Sequence, residues 1–240
     1  MKFVFLFILG IMVFFSCRYI GGKRVRGNGN FVSRERSVSN FDGVEAYGSF
    51  DVTVLPAPTT SVKIETDENL QEFIETYVEH GDLQIRERDG YNLRPQHDIK
   101  ITVSGPVFTN LATHGSGNII GRGPLNTSDG DVELRVAGSG NVEVEMTARK
   151  IDSEIHGSGN IKVRGATKEF EGGIYGSGNI RAGELRSEDA KIEIAGSGNA
   201  EIFSNKNLDV HIMGSGEVRH RGGASVNTSI QGSGSVVRID

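Results

Sequence analysis

Val132-Glu-Leu-Arg-Val-Ala-Gly-Ser-Gly-Asn-Val-Glu-Val-Glu-Met146 is the stretch on which the fold turns. Val132, Leu134 and Val136 share one parity with Val142, Val144 and Met146, and Gly138 and Gly140 lie on that parity too. Period-two alternation of β-branched residues is the signature of a strand. The glycines therefore stand on the inward side, where no side chain fits or the chain bends sharply. The same phasing returns in Ile155, Gly157, Gly159, Ile161 and Val163, and again in Leu208, Val210, Ile212, Gly214, Gly216 and Val218. Gly-Ser-Gly begins at Gly115, Gly138, Gly157, Gly176, Gly196, Gly214 and Gly232, in steps of 23, 19, 19, 20, 18 and 18 residues. Five copies continue with Asn, the last two with Glu217 and Ser235, and Gly48-Ser49-Phe50-Asp51 is a degenerate eighth. Seven copies at nearly one period make a repeat protein of period about 19.

Such turns stack. Each adds about 4.8 Å along an axis, the spacing of neighbouring strands. The expected fold is all-β: a parallel β-helix, or solenoid, of Gly-Ser-Gly-Asn rungs with two or three short strands per turn. An antiparallel array of hairpins turned at the same motif is the alternative, because Gly-Asn pairs are also good turn chemistry. In the solenoid the outer side carries a ladder of Ser116, Ser139, Ser158, Ser177 and Ser197, and one of Asn118, Asn141, Asn160, Asn179 and Asn199. Stacked amides can hydrogen-bond from rung to rung. This strip is the candidate binding surface, and it is equally explained as a structural seam.

The N-terminal region breaks the period, since Gly48 to Gly115 is 67 residues. Residues 44–55, 62–65, 83–88 and 99–103 read as strands. Leu70, Phe73, Ile74, Tyr77 and Val78 fall at i, i+3, i+4, i+7 and i+8, one apolar helix face. This predicts one short helix near 68–80 with Asp67 as N-cap and Gly81 as C′. It would cover the first rung of a solenoid domain spanning 38–240, divided into a capping region to 110 and the repeats from 111. No capping segment is visible after the last motif, so an open final rung predicts pairing with a second copy.

The chain has 240 residues, a formal net charge of −5 and a single Cys. One cysteine excludes an internal disulfide framework and a CxxC zinc site. The acidic balance argues against nucleic acid as a partner. Lys2 precedes a 13-residue apolar run, Phe3 to Phe15, broken only by Gly10. That run reads as a signal peptide over 1–16 and is short for a membrane span. Ser16-Cys17 resembles the end of a bacterial lipobox, which makes Cys17 the expected lipidation site, although Phe14 and Phe15 stand where Leu and a small residue are usual. Ordinary signal cleavage and an uncleaved anchor are the alternatives. Residues 18–30 carry Arg18, Lys23, Arg24 and Arg26 and no acid, so 17–37 reads as a flexible basic tether. The expected location is an exported outer-membrane lipoprotein on the periplasmic side, held to the membrane by lipid.

Parallel β-helices can carry polysaccharide-cleaving enzymes, which need acids clustered with a base or metal. The residues before each Gly-Ser-Gly read His114, Ala137, His156, Tyr175, Ala195, Met213 and Gln231, a mixed outward column. His211 and His220 sit on different parities and are not expected to converge. Asp129-Gly-Asp131 reads as a turn. Neither a nucleophilic Ser with partners at repeat spacing nor a phosphate loop is present. The expectation is no enzyme, no catalytic residue, no metal and no cofactor, with a carbohydrate-active enzyme on the same scaffold as the alternative.

Phe41-Asp-Gly-Val-Glu-Ala-Tyr-Gly-Ser-Phe-Asp-Val-Thr-Val54, then Asp67-Glu-Asn-Leu70, then serial Gly-Ser-Gly-Asn, resembles the head GIN domain family of auto-transporter adhesins over about 38–222. The resemblance implies a β-helix-like envelope protein, often a Bacteroidetes-type lipoprotein, and no catalytic residues. The signal-type segment, the acidic repeat body and the lack of a catalytic constellation make an adhesin-like binding or scaffolding role the expectation, with a glycan or an envelope protein as the partner of the polar Ser/Asn ladder. No autotransporter barrel is expected from these residues.

Overall fold

A computed structural model describes residues 22–240, with the side chains of 126–129 outside that description. The signal-type segment 1–16 and Cys17 lie outside the described residues. The strands, in chain order, are β1 Lys23–Arg26, β2 Phe31–Arg36, β3 Gly43–Gly48, β4 Asp51–Pro56 and β5 Ser61–Asp67. A 3-10 helix, Glu68–Phe73, precedes β6 Ile74–Glu79, β7 Asp82–Glu87, β8 Tyr91–Arg94 and β9 Lys100–Gly105. The repeats follow as β10 Asn110–Gly115, β11 Asn118–Gly138, β12 Asn141–Gly157, β13 Asn160–Gly176, β14 Asn179–Gly196 and β15 Asn199–Gly214. The last elements are β16 Glu217–Arg221, β17 Ser225–Gly232 and β18 Ser235–Arg238.

The repeats form a β-solenoid of about seven turns of roughly 19 residues. Every pairing between turns is parallel, which decides against the hairpin array. Asn141 pairs with Asn160, Ile151 with Phe170 and Gly157 with Gly176, so equivalent residues lie above one another. Within β12 the buried positions are 142, 144, 146 and 148, then 151, 153 and 155. The change of parity between Ala148 and Ile151 marks a corner inside the long strand. Thr167, Ser187 and Ser204 stand in register with Ala148 at that corner. Their buried hydroxyls donate to carbonyls there; the single Ser204 hydroxyl proton is shared between Glu188 O at 2.9 Å and Asn207 O at 2.8 Å. The core is a stack of Val, Ile and Leu, with Ile155, Ile174, Ile194 and Ile212 fully buried on successive turns.

The insertion between the first two turns extends the stack at its N-terminal end along two paths. On one side β7 pairs parallel to β3 and antiparallel to β6. On the other β9 pairs parallel to β4, and β5 runs antiparallel between β9 and β2. The 3-10 helix sits among these strands with Leu70 and Gln71 buried.

Two expectations are corrected here. The helix predicted for 68–80 stops at Phe73, is 3-10, and gives way to a strand. Ile74, Thr76 and Val78 are β-branched and alternate, which favours strand, and β7 lies beside them to pair with. His80 (φ 54°) and Gly81 (φ 95°) form the tight turn, both left-handed, of a two-residue hairpin. Gly81 is thus a turn residue and no helix end. Asp67 precedes the helix without capping it. The second correction concerns the tether. Of 17–37, residues 18–21 lie outside the described residues, but 23–26 pair with Tyr91–Arg94 and 31–36 pair with 62–67. The strand β2 covers the outer edge of β5, and Arg36 donates to Gln71 O at 2.6 Å and to Gln71 Oε1 at 2.9 Å. Backbone pairing outweighs the local Gly and Asn content.

Candidate functional site

The Gly-Ser-Gly turn builds an outward edge. The backbone Ser139 N–H donates to Gly115 O at 2.8 Å, and Ser158, Ser177, Ser197 and Ser215 repeat this on the turn before each. That contact brings successive turns so close that a Cβ on Gly159 would meet Gly140 O at 2.2 Å and Val136 Cγ1 at 2.5 Å. The Ser side chains at 116, 139, 158, 177 and 197 are all exposed. Asn118, Asn141, Asn160 and Asn179 are half-buried and Asn199 is exposed.

The Asn amides form one continuous chain. Asn118 Nδ2 donates to Asp51 Oδ1 at 2.6 Å, and Asn141 Nδ2 to Asn118 Oδ1 at 2.6 Å. Asn160, Asn179 and Asn199 continue it at 2.7, 2.8 and 3.1 Å. Asp51, which only accepts, starts the chain, and the backbone N–H of Glu217 ends it on Asn199 Oδ1 at 3.2 Å. The structure thus brings the ten strip residues into two adjacent lines. The Asn line is engaged with itself, and the Ser line faces outward.

Beside that edge runs the column read from sequence as mixed. Tyr47 heads it, in register with His114, and His114, Ala137, His156, Tyr175, Ala195, Met213 and Gln231 follow turn by turn. Tyr47 stacks on His114 with ring centroids 4.5 Å apart and 10° between planes. His156 stacks on Tyr175 at 4.8 Å and 16°. Sequence reasoning missed Tyr47 because the insertion hides its register; its place just before Gly48-Ser49 is the signal that identifies it.

Carboxylates flank the column. Burial, then the Glu45 hydrogen bond at 2.7 Å, pushes the Tyr47 hydroxyl up to about 12. Burial would raise the Glu45 carboxyl, but hydrogen bonds from Tyr47, Gln84 and Asn110 hold it below the usual range. Asp152 is shifted upward by burial, then by the charges of Glu154 and Glu171. His220 points inward, is buried, and is pushed down by burial and Arg238. It does not meet His211, which faces out beside Asp209 at 3.4 Å. Among the described residues no group of three or more His, Cys, Asp or Glu could hold a metal ion, and no helix is long and apolar enough to cross a membrane.

The sequence family described as "Putative auto-transporter adhesin, head GIN domain" matches residues 40–224. The chain belongs to the head GIN domain family. A "Putative lipid binding protein" from Parabacteroides distasonis is 29% identical, with a TM-score of 0.75 over 91% of this chain and 100% of that one. A "putative adhesin" from Bacteroides fragilis is 20% identical, with a TM-score of 0.83 over 90% of this chain and 100% of that one. One from Parabacteroides merdae is 22% identical, with a TM-score of 0.71 over 91% and 100%. The last two share this chain's fold. No curated protein matches it.

Proposed function

We propose that the protein is a non-enzymatic, adhesin-like binding or scaffolding module of the cell envelope, anchored by lipid on Cys17. The observation that supports it is the outward edge, where exposed hydroxyls of Ser116, Ser139, Ser158, Ser177 and Ser197 repeat in line beside the self-bonded Asn ladder. A rigid, periodic polar surface suits a repetitive glycan or an extended envelope protein. The adhesin description of the family and the lipid-binding description of the 29% identical relative agree with an envelope setting. The described fold begins at Gly22, five residues after Cys17. Five residues reach at most about 18 Å, so a lipid there would hold the N-terminal end of the solenoid against the bilayer. The outer membrane, periplasmic side, is the proposed location.

A second reading, a carbohydrate-cleaving enzyme, draws on the carboxyls of Asp152, Glu154 and Glu171 that line one depression, since glycoside cleavage uses paired carboxyls. One experiment separates the two. Cys17→Ala is expected to move the protein from the membrane pellet to the released periplasmic fraction of the producing cell. The purified protein is expected to bind envelope glycan or protein fractions without releasing soluble sugars. Membrane retention of C17A would overturn the anchor, absence of binding the module, and product release the non-enzymatic role.

A further inference from the structure

Two shallow depressions on the sheet that leads into the Gly-Ser-Gly turns lie next to each other along the solenoid axis. The first, about 80 Å3, lies over Gly173 between Glu154 and Glu193, with Tyr175 along one side. The second, about 260 Å3, continues past His211, Met213, Ser229 and Gln231. Lys191 and Glu193 line both, so the two adjoin and are taken together as one shallow groove. Gly173 opens it, because the same column carries Glu154 on the turn before and Glu193 and His211 on the turns after. Tyr175, 37% exposed, forms the wall. One ring face is stacked on His156. The residue in register on the other side is Ala195, so no ring covers the second face. Met213, 47% exposed, extends the apolar wall one turn further.

We propose that this groove binds a linear, neutral polysaccharide laid along the solenoid axis, about one sugar unit per turn. The proposal rests on the binding-module reading and names its ligand class. Turns repeat every ~4.8 Å, the order of length of one pyranose unit, so wall atoms recur in step with such a polymer. The open face of Tyr175 offers a flat apolar platform for the C–H face of a sugar ring. Carboxylates accept hydrogen bonds from sugar hydroxyls and strengthen them through their charge. Asp152 and Glu193 are free to do so, with no ion pair within 4.0 Å among the described residues. Glu171 is held by Lys150 at 2.9 Å, and Glu154 lies 3.5 Å from His156 and 3.7 Å from Arg135. The remaining excess of negative charge repels uronic acids and phosphates. A peptide lacks its usual handle, because β13, β14 and β15 are each paired on both sides and offer no edge for strand addition.

The test is calorimetric titration of the purified full chain in detergent. The probes are β-1,4-glucan and mannan oligomers of two to eight units, a galacturonate hexamer and a lysine decamer. Affinity is expected to rise with length up to about five units, the turns the groove spans, for at least one neutral series. Tyr175→Ala is expected to weaken it about tenfold or more. Gly173→Gln, which fills the groove without adding a charge between Glu154 and Glu193, is expected to abolish it while cooperative thermal unfolding is retained. No binding of either neutral series overturns the proposal, as does binding undiminished in both variants. Tighter binding of the galacturonate or the lysine decamer overturns it too. If envelope fractions still bind the wild-type chain in those cases, the module reading stands without this groove. If they do not, both fall. Shorter sugars appearing in the cell would support the saccharide groove and overturn the non-enzymatic role.

Discussion

Gly157 shows why the first glycine of each turn has no substitute. Its φ is +132°, in the region that disfavours any side chain, and a Cβ there would lie 2.4 Å from Gly138 O. Relieving that contact would push apart neighbouring turns that the Ser158 N–H joins through its bond to the same carbonyl at 2.9 Å. Gly157→Ala is therefore expected to destabilise the fold by about 2 kcal/mol or more, seen as a lower urea midpoint. Gly173 is the internal control. Its Cβ would meet a movable ring carbon of Tyr175 at 3.1 Å, and its backbone is ordinary strand. Gly173→Ala should leave the midpoint nearly unchanged. The two glycines look alike in the sequence but carry different constraints.

At the level of elements, the N-terminal cap is held by a carboxylate. Asp67 is fully buried where β5 meets the 3-10 helix. It accepts from Gln96 N at 2.6 Å, Gly29 N at 3.0 Å and His97 N at 3.2 Å, and Oδ1 lies 2.9 Å from His97 Nδ1. One side chain thus ties the β1–β2 connection and the segment before β9 to the cap. Burial would raise its pKa, but the hydrogen bonds from His97, Gln96 and Gly29 outweigh burial and hold it below the ordinary 3.8. A depressed folded pKa gives stability that is complete above the unfolded value and lost as pH falls through the folded one. The wild type is expected to lose stability below about pH 4. Asp67→Asn turns an amide toward backbone donors and should cost about 1–3 kcal/mol at pH 7. That difference should narrow at pH 2–3, as read by denaturation curves at both values.

Over the whole molecule, stability is a sum over neighbouring turns. Inner turns bury Ile155, Ile174 and Ile194 completely and are paired on both sides. In β17 every residue is exposed, including Val226 at 37% and Ile230 at 40%. Opening should therefore start there and move inward. Hydrogen exchange read by mass spectrometry is expected to be fastest over 225–238 and slowest over β12–β14. Uniform protection along the repeats would mean that the last turn is covered.

The period, the inward parity and the turn glycines are legible in the chain because each is a local rule repeated seven times: alternation selects strand, and a shared step selects stacking. The Ser and Asn lines follow from the same register, so the outer edge was readable too. Three features were not. The segment 74–79 carries a helical and an alternating pattern at once, and the pairing partner β7, with the His80-Gly81 turn, decided for strand. The segment 23–36 has loop-like composition, and the open edges of β8 and β5 made strands of it. The axial groove depends on Gly173 lying between Glu154 and Glu193 and on Tyr175 lying beside Ala195. Those neighbours are about 20 residues away in sequence and one strand spacing away in space, and stacking alone sets them side by side.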